Sequence, residues 1–147
     1  MFRRILVGFD GSQDAREALR EGAELASVCQ GEISVVMVIS VAHGETEEER
    51  QAAFDREAGS LQELVERELE AVMKRHSATS SMHVVASDRP DQALSDYALR
   101  HGYDVVVLGR HSRQRAMHGG LGRVAASISQ HSALPVLLIG DRAPVSG

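Results

Sequence analysis

The stretch Ile5-Leu6-Val7-Gly8-Phe9-Asp10-Gly11-Ser12 decides the fold. Three apolar, β-prone residues run together without alternation. Such a run suits a strand buried on both faces of a parallel sheet. Gly8 to Gly11 form a turn, and Ser12 can cap a helix that carries Ala15, Ala18, Leu19, Ala23, Ala26 and Cys29 on one stripe. The first unit therefore reads strand, turn, helix.

The same unit recurs along the chain. Further apolar runs are Ile33 to Ile39, Val105-Val106-Val107-Leu108 and Val136-Leu137-Leu138-Ile139, with a weaker one at Met82-His83-Val84-Val85-Ala86. Helical patterns fill the gaps. Thr46 and Glu49 fit a capping box before a helix with Phe54, Ala58, Leu61, Val65 and Val72 on one side, running to about His76. Pro90 occupies a first helical position ahead of Ala93, Leu94, Tyr97 and Ala98. A last helix starts near Gly122 with Val124, Ala125 and Ile128, and Pro135 keeps it from running into the final strand. The order β-α-β-α-β-α-β-α-β implies parallel strands, right-handed crossovers and helices on both faces. Residues 40 to 50 read as a polar, acidic connection, and the tail from Asp141 to Gly147 as frayed. No linker divides the 147 residues, so one domain over 1–147 is expected.

Composition narrows the function. The chain is 43% hydrophobic and 25% charged, which is ordinary for a globular protein. Its formal net charge of −5 argues against nucleic acid as a partner, since phosphate binding calls for a basic stripe. Lys74 is the only lysine, and Cys29 the only cysteine. A single cysteine forms no internal disulfide and points to a reducing, cytoplasmic setting. The apolar run at the N-terminus is cut by Asp10, too early for a signal peptide, and no stretch reaches the length of a membrane span.

In open α/β sheets ligands bind at the carboxyl ends of strands, where strand order reverses. The loops after the first and fourth strands are the candidates. The second is the most informative part of the chain: Gly109-Arg110-His111-Ser112-Arg113-Gln114-Arg115-Ala116-Met117-His118-Gly119-Gly120-Leu121-Gly122-Arg123. Glycines let backbone N–H groups approach an anion, the helix start adds unpaired donors, and the arginines add fixed charge. Those are the parts of a phosphate cradle; a surface loop with solvated arginines fits the local sequence equally well. Asp10 closes the first strand, where a carboxylate can accept from a ribose hydroxyl or a base amino group, or simply form an Asx turn. Ser12 reads as a cap rather than a nucleophile, because no base lies near it in sequence.

Taken together, Ile5 to Ser12, Asp91 to Ala98, Asp104-Val105-Val106-Val107-Leu108-Gly109 and Leu134-Pro135-Val136-Leu137-Leu138-Ile139 resemble the universal stress protein family over almost the whole chain. The resemblance implies an adenine-nucleotide alpha-hydrolase-like, doubly wound five-stranded parallel sheet of order 3-2-1-4-5. That order sets the first and fourth strands side by side, so the two loops meet. Many members bind ATP there through a glycine, two residues, a second glycine, nine residues, then glycine with Ser or Thr. Carried over by position, the glycines fall on Gly109, Ser112 and Gly122, and the Ser/Thr on Arg123. The spacing is kept, but Ser112 and Arg123 depart from the pattern. If the second glycine serves a positive φ, Ser112 costs roughly 1 kcal/mol there. Arg123 lacks the hydroxyl and would pair with a phosphate, block the pocket or point outward. The implied nucleotide site is Gly8, Phe9, Asp10, Val38, Leu108, Gly109, Ser112, Gly122, Arg123 and Val124, with ATP or AMP as ligand and Mg2+ only alongside ATP. The resemblance also implies a regulatory or protective role and a homodimer through the edge strand Pro135 to Ile139, an uncovered apolar strand that invites pairing. A branch of the family that does not hold ATP is the alternative.

Other nucleotide folds do not fit. A P-loop needs a glycine-rich loop ending in lysine, and Lys74 follows no such loop. The turn after the first strand is not the G-x-G-x-x-G of a dinucleotide-binding domain. A response regulator would want an acidic cluster at the first strand, an aspartate at the third and a lysine at the fifth. His43, His76, His83, His101, His111, His118 and His131 form no close ligand pair, so no metal site is expected. His111 and His118 are placed to line the loop, with nucleotide contact or pH sensitivity as their candidate roles. No nucleophile–base pair is visible, so the expected activity is binding, with slow hydrolysis of ATP at most.

Overall fold

A computed structural model describes residues 2–40, 44–75, 78–111 and 122–140. Its elements are β1 (Arg4–Gly8), α1 (Gln13–Val28), β2 (Glu32–Ile39), α2 (Glu47–Met73), β3 (Thr79–Ala86), α3 (Pro90–Arg100), β4 (Val105–Gly109), α4 (Arg123–His131) and β5 (Val136–Ile139). The strands form one parallel sheet of order β3-β2-β1-β4-β5. The expected doubly wound fold is the one observed.

The sheet divides the core in two. On one face Ile5, Val7, Val35, Met37 and Val105 meet Ala15, Ala18, Leu19 and Ala23 of α1 and Leu61, Val65 and Leu69 of α2. On the other, Leu6, Val36, Val106 and Leu108 meet Leu94 and Ala98 of α3 and Ile128 of α4. Because successive strand residues point to opposite faces, the unbroken apolar run in β1 feeds both cores.

The capping signals act as read, with small differences. Ser12 Oγ accepts from the Ala15 N–H at 3.1 Å, and α1 follows. Cys29 is the C-cap of α1 and half-buried, one step past the stripe it was expected to join. Thr46 Oγ1 accepts from the Glu49 N–H at 3.1 Å, while Glu49 reaches back to the N–H of Glu45 at 2.9 Å. Helix α2 thus begins at Glu47, inside the stretch read as connection, because Thr46 caps it there. It ends at Met73, short of His76. Strand β3 starts at Thr79, ahead of its apolar run, because Thr79 to Ser81 pair in register with Glu32 to Ser34 although their side chains are exposed. Ser34, buried in β2, meets Ser81 Oγ to Oγ at 2.9 Å. The expected fraying after Gly140 lies outside the described residues.

Candidate functional site

The carboxyl ends of β1 and β4 lie together, as neighbouring strands with Val7 opposite Val107. A cleft opens there, enclosing about 520 Å3 with the space that communicates with solvent. Its lining includes the apolar Phe9, Val36, Val38, Leu94 and Leu108, together with Gly109, His111, Gly122, Val124 and Ala125.

Each wall has a local cause. Gly8 ends β1 between Leu108 and Leu94, where a Cβ would lie 2.6 Å from Leu108 Cδ2 and 3.0 Å from Leu94 Cδ1. Its missing side chain leaves the floor open. Phe9 continues the sheet by donating its N–H to the Val36 carbonyl at 3.0 Å. Asp10 Oδ1 accepts from the Ser12 N–H at 2.9 Å, an Asx turn that leads into α1. Gly122 is the N-cap of α4, and among the described residues no side chain caps that helix. The Gly122 N–H donates to the Arg110 carbonyl at 2.6 Å, and the Gly122 carbonyl accepts from the Ala126 N–H at 2.9 Å. The first-turn N–H groups that follow have no intrahelical acceptor, and they sit at the positive end of the helix dipole. Pro90, the first residue of α3, also borders the cleft. The start of α3 is tied to the middle of α4 by Ser127 Oγ–H, which donates to Asp91 Oδ2 at 2.7 Å and holds that carboxyl below its ordinary range.

Of the residues expected in the site, the structure places Gly8, Phe9, Asp10, Val38, Leu108, Gly109, Gly122 and Val124 on the cleft. Arg123 is exposed and is not among the residues that line it. Ser112 lies outside the described residues, with Arg113, Arg115, His118, Gly119 and Gly120. His111 borders the cleft, as its loop position indicated.

The residue that sequence reasoning missed is Asp14. It is 6% exposed, in the first turn of α1. Its Oδ2 accepts the His111 backbone N–H at 3.0 Å and lies 2.6 Å from His111 Nδ1. An acid in a first helical turn is usual for the helix dipole alone, so nothing in the sequence marked its tie to a loop far along the chain. Val36, Pro90, Leu94, Ala15 and Ala125 were read as strand or helix residues; only the packing brings them to the cleft.

Among the described residues no group of three or more His, Cys, Asp or Glu side chains is arranged to hold a metal ion, and no helix is long and apolar enough to cross a membrane.

A model of the universal stress protein family matches residues 1–140. No curated protein matches the sequence. Among solved structures, universal stress protein UspA from Lactobacillus plantarum is similar with a TM-score of 0.86 at 20% identity, over 95% of this chain and 98% of that one. A universal stress protein from Archaeoglobus fulgidus in complex with dAMP gives 0.67 at 20% identity, over 95% and 98%. A family protein from Arabidopsis thaliana with AMP bound gives 0.66 at 15% identity, over 99% and 95%. Identities this low speak to the shared fold alone. The family match, by contrast, runs through both loops of the cleft and past the end of the last strand, and by it the chain belongs to the universal stress protein family.

Proposed function

We propose that this protein binds an adenine nucleotide, AMP or ATP, in the cleft between β1 and β4, and acts as a binding or switch protein rather than a fast enzyme. The observation that carries the reading is the pairing of an apolar wall with an uncapped helix start across one cleft. A flat aromatic base fits against Val38, Leu94 and Leu108, and a phosphate fits the first-turn N–H groups of α4. Asp10 borders the same cleft and would accept from the ribose. Solved relatives in complex with dAMP and with AMP support the same ligand class. Arg123 does not oppose it, since its side chain lies off the cleft.

Among the described residues of the cleft none is placed as a nucleophile with its base, and on this reading turnover of ATP, if any, is slow; Mg2+ enters only with the triphosphate. A homodimer through β5 and a cytoplasmic role in the stress response complete the proposal. Calorimetric titration with AMP, ATP and GTP tests it. Saturable binding of the adenine nucleotides is expected. Absence of heat with all three, and no thermal shift, would leave the alternative of a dimeric interaction module that holds no nucleotide.

A further inference from the structure

We infer that the outer edge of β3 is a docking edge for an extended segment of another protein, one in which basic residues alternate with valine or threonine, and that the segment adds to the sheet as a further strand. The inference stands apart from the nucleotide reading and uses none of its residues.

Strand β3 ends the sheet on the side opposite β5. It is the longer edge, eight residues against four. Its sequence, Thr79-Ser80-Ser81-Met82-His83-Val84-Val85-Ala86, holds no Asp, Glu, Lys, Arg or Pro. It pairs with β2 in unbroken register from Glu32 opposite Thr79 to Ile39 opposite Ala86, so no bulge turns it aside. Sheet edges are ordinarily blunted by charge, proline, a bulge or a very short strand, and β3 uses none of these. The Ser87 N–H donates to the Ile39 carbonyl at 3.0 Å, so by alternation the backbone groups of Val85, His83 and Ser81 face β2. Those of Ser80, Met82, Val84 and Ala86 face outward, and no strand of the described residues pairs with them.

The two faces beside this edge differ. On one, Met82 and Val84 pack into the core that α2 covers. Arg20 of α1 pairs with Glu68 at 3.2 Å, which marks the side of α2 that faces α1. At about 100° per residue, Glu66 stands roughly opposite Glu68, on the side toward the β3 edge. Glu48, Asp55 and Glu66 share that side and are exposed. Arg50 and Arg67 are paired with Glu47 and Glu63. Helix α2 as a whole carries nine acidic residues against three arginines, an excess larger than the −5 of the entire chain. On the other face the His83 ring lies 5.8 Å from that of Tyr97 on α3, with Ser81 Oγ 3.1 Å from His83 Nε2.

A strand added at this edge turns alternate side chains to the two faces. On the α2 face, Lys or Arg lays its apolar stem over Met82 and Val84 and brings its charge toward Asp55 and Glu66. On the other, Thr or Val sits beside Ser81, His83 and Val85. Main-chain bonds to the outward groups give affinity, and the two faces give selectivity. A second copy of this chain is the poorer occupant. Pairing of β3 with itself across a two-fold axis would set two α2 helices on one face, with Asp55 and Glu66 of each turned toward those of the other. Like charges so placed repel, and the helix that attracts a basic segment thereby disfavours self-pairing.

The test is amide hydrogen exchange by NMR on the full chain, with a synthetic peptide alternating Lys with Val and Thr over about the length of β3. Bound peptide is expected to slow exchange at Ser80, Met82 and Val84 by about tenfold or more, while the amides of Ser81, His83 and Val85, already bonded to β2, change little. The same peptide with Glu in place of Lys is expected to bind about tenfold more weakly at low salt, and added salt to narrow the gap. Asp55→Lys with Glu66→Lys, both at exposed positions, is expected to invert the order of the two peptides. Ser80→Pro removes an outward N–H at no cost to the β2 ladder, and is expected to weaken the Lys peptide. No binding of the Lys peptide, equal binding of the two peptides, or binding without alternate protection along β3 would overturn the inference. So would light scattering in which Ser80→Pro halves the wild-type mass, since a second copy would then hold the edge. The exchange pattern and the peptide comparison are read on the wild type and need no variant to fold.

Discussion

Gly109 lies against Asp14 so closely that a Cβ on the glycine would sit 2.8 Å from the backbone carbon of the acid, 2.8 Å from its Cβ and 2.9 Å from the Ala15 N. The obstacle is largely backbone, which does not swing aside as a side-chain tip does. Gly109→Ala must therefore push the start of α1 away from the end of β4. Overpacking of this kind costs about 1–3 kcal/mol. Urea unfolding should show the midpoint lowered with the slope unchanged. A variant as stable as the wild type would mean that α1 and β4 are packed more loosely than described.

Asp10 and Arg123 make opposite predictions for ligand affinity. Asp10 borders the cleft and its Oδ1 holds the Asx turn through the Ser12 N–H. Asp10→Ala removes that turn and the acceptor offered to the ribose, so AMP affinity should fall by about tenfold or more, as for a lost bond to a charged group. Arg123 is exposed and off the cleft. Arg123→Ser should leave AMP affinity within about threefold, as expected for a surface change away from the site. Calorimetric titration of the two variants side by side checks both. A gain in affinity on losing Arg123 would mean that the side chain obstructs the cleft.

At the opposite end of the sheet, Asp104 Oδ2 accepts the backbone N–H groups of Arg4 and Arg3, each at 2.9 Å. These bonds hold its carboxyl below the ordinary value of 3.8. In the unfolded chain the bonds are gone and the ordinary value returns. The ionised form thus favours the folded state, fully so above pH about 4, and the contribution fades as pH falls through the lower folded value. Asp104→Asn should be less stable than the wild type at neutral pH, with the gap closing below pH about 4. Thermal unfolding across that range measures it; a gap that stays constant with pH would count against the assigned cause.

The fold could be read from the sequence because its signals are local. Ile5 to Val7, Ile33 to Ile39 and Val105 to Leu108 are apolar without alternation, and Ser12, Thr46 and Pro90 mark helix starts that the structure keeps. Edges were less legible. The polar start of β3 is strand only because Ser80 and Ser81 face Ile33 and Ser34 across the ladder, a contact between distant residues. The two-loop geometry of the cleft followed from topology, whereas Asp14 was hidden by its ordinary role as an acid in a first turn. Its partner lies at the other end of the chain in sequence and beside it in space. Glycine spacing likewise showed where the loop begins and ends but not that Arg123 is exposed and off the cleft lining, which depends on where the first residue of α4 stands on its helix.

The free side of β5 bears on assembly. Within the sheet, the Pro135 carbonyl accepts from Val106 N–H at 3.0 Å and the Ile139 carbonyl from Arg110 N–H at 2.8 Å. Backbone groups alternate in direction along a strand, so those of Val136 and Leu138 face away from β4. They form a ladder with no strand of the described residues on it, since β5 ends the sheet. Leu137 is 40% exposed on the same strand, and a cleft lined by Leu138, Ile139, Glu17, Arg20 and Glu21 runs beside it. An apolar edge of this kind favours pairing with a second copy across a two-fold axis. Leu137→Glu would place two like charges at that junction while touching little of the core. Light scattering should give twice the chain mass for the wild type at micromolar concentration and a single chain mass for the variant, with the thermal midpoint of the variant tracking loss of the partner rather than loss of the fold. A wild-type mass of one chain would remove the edge strand as an assembly surface.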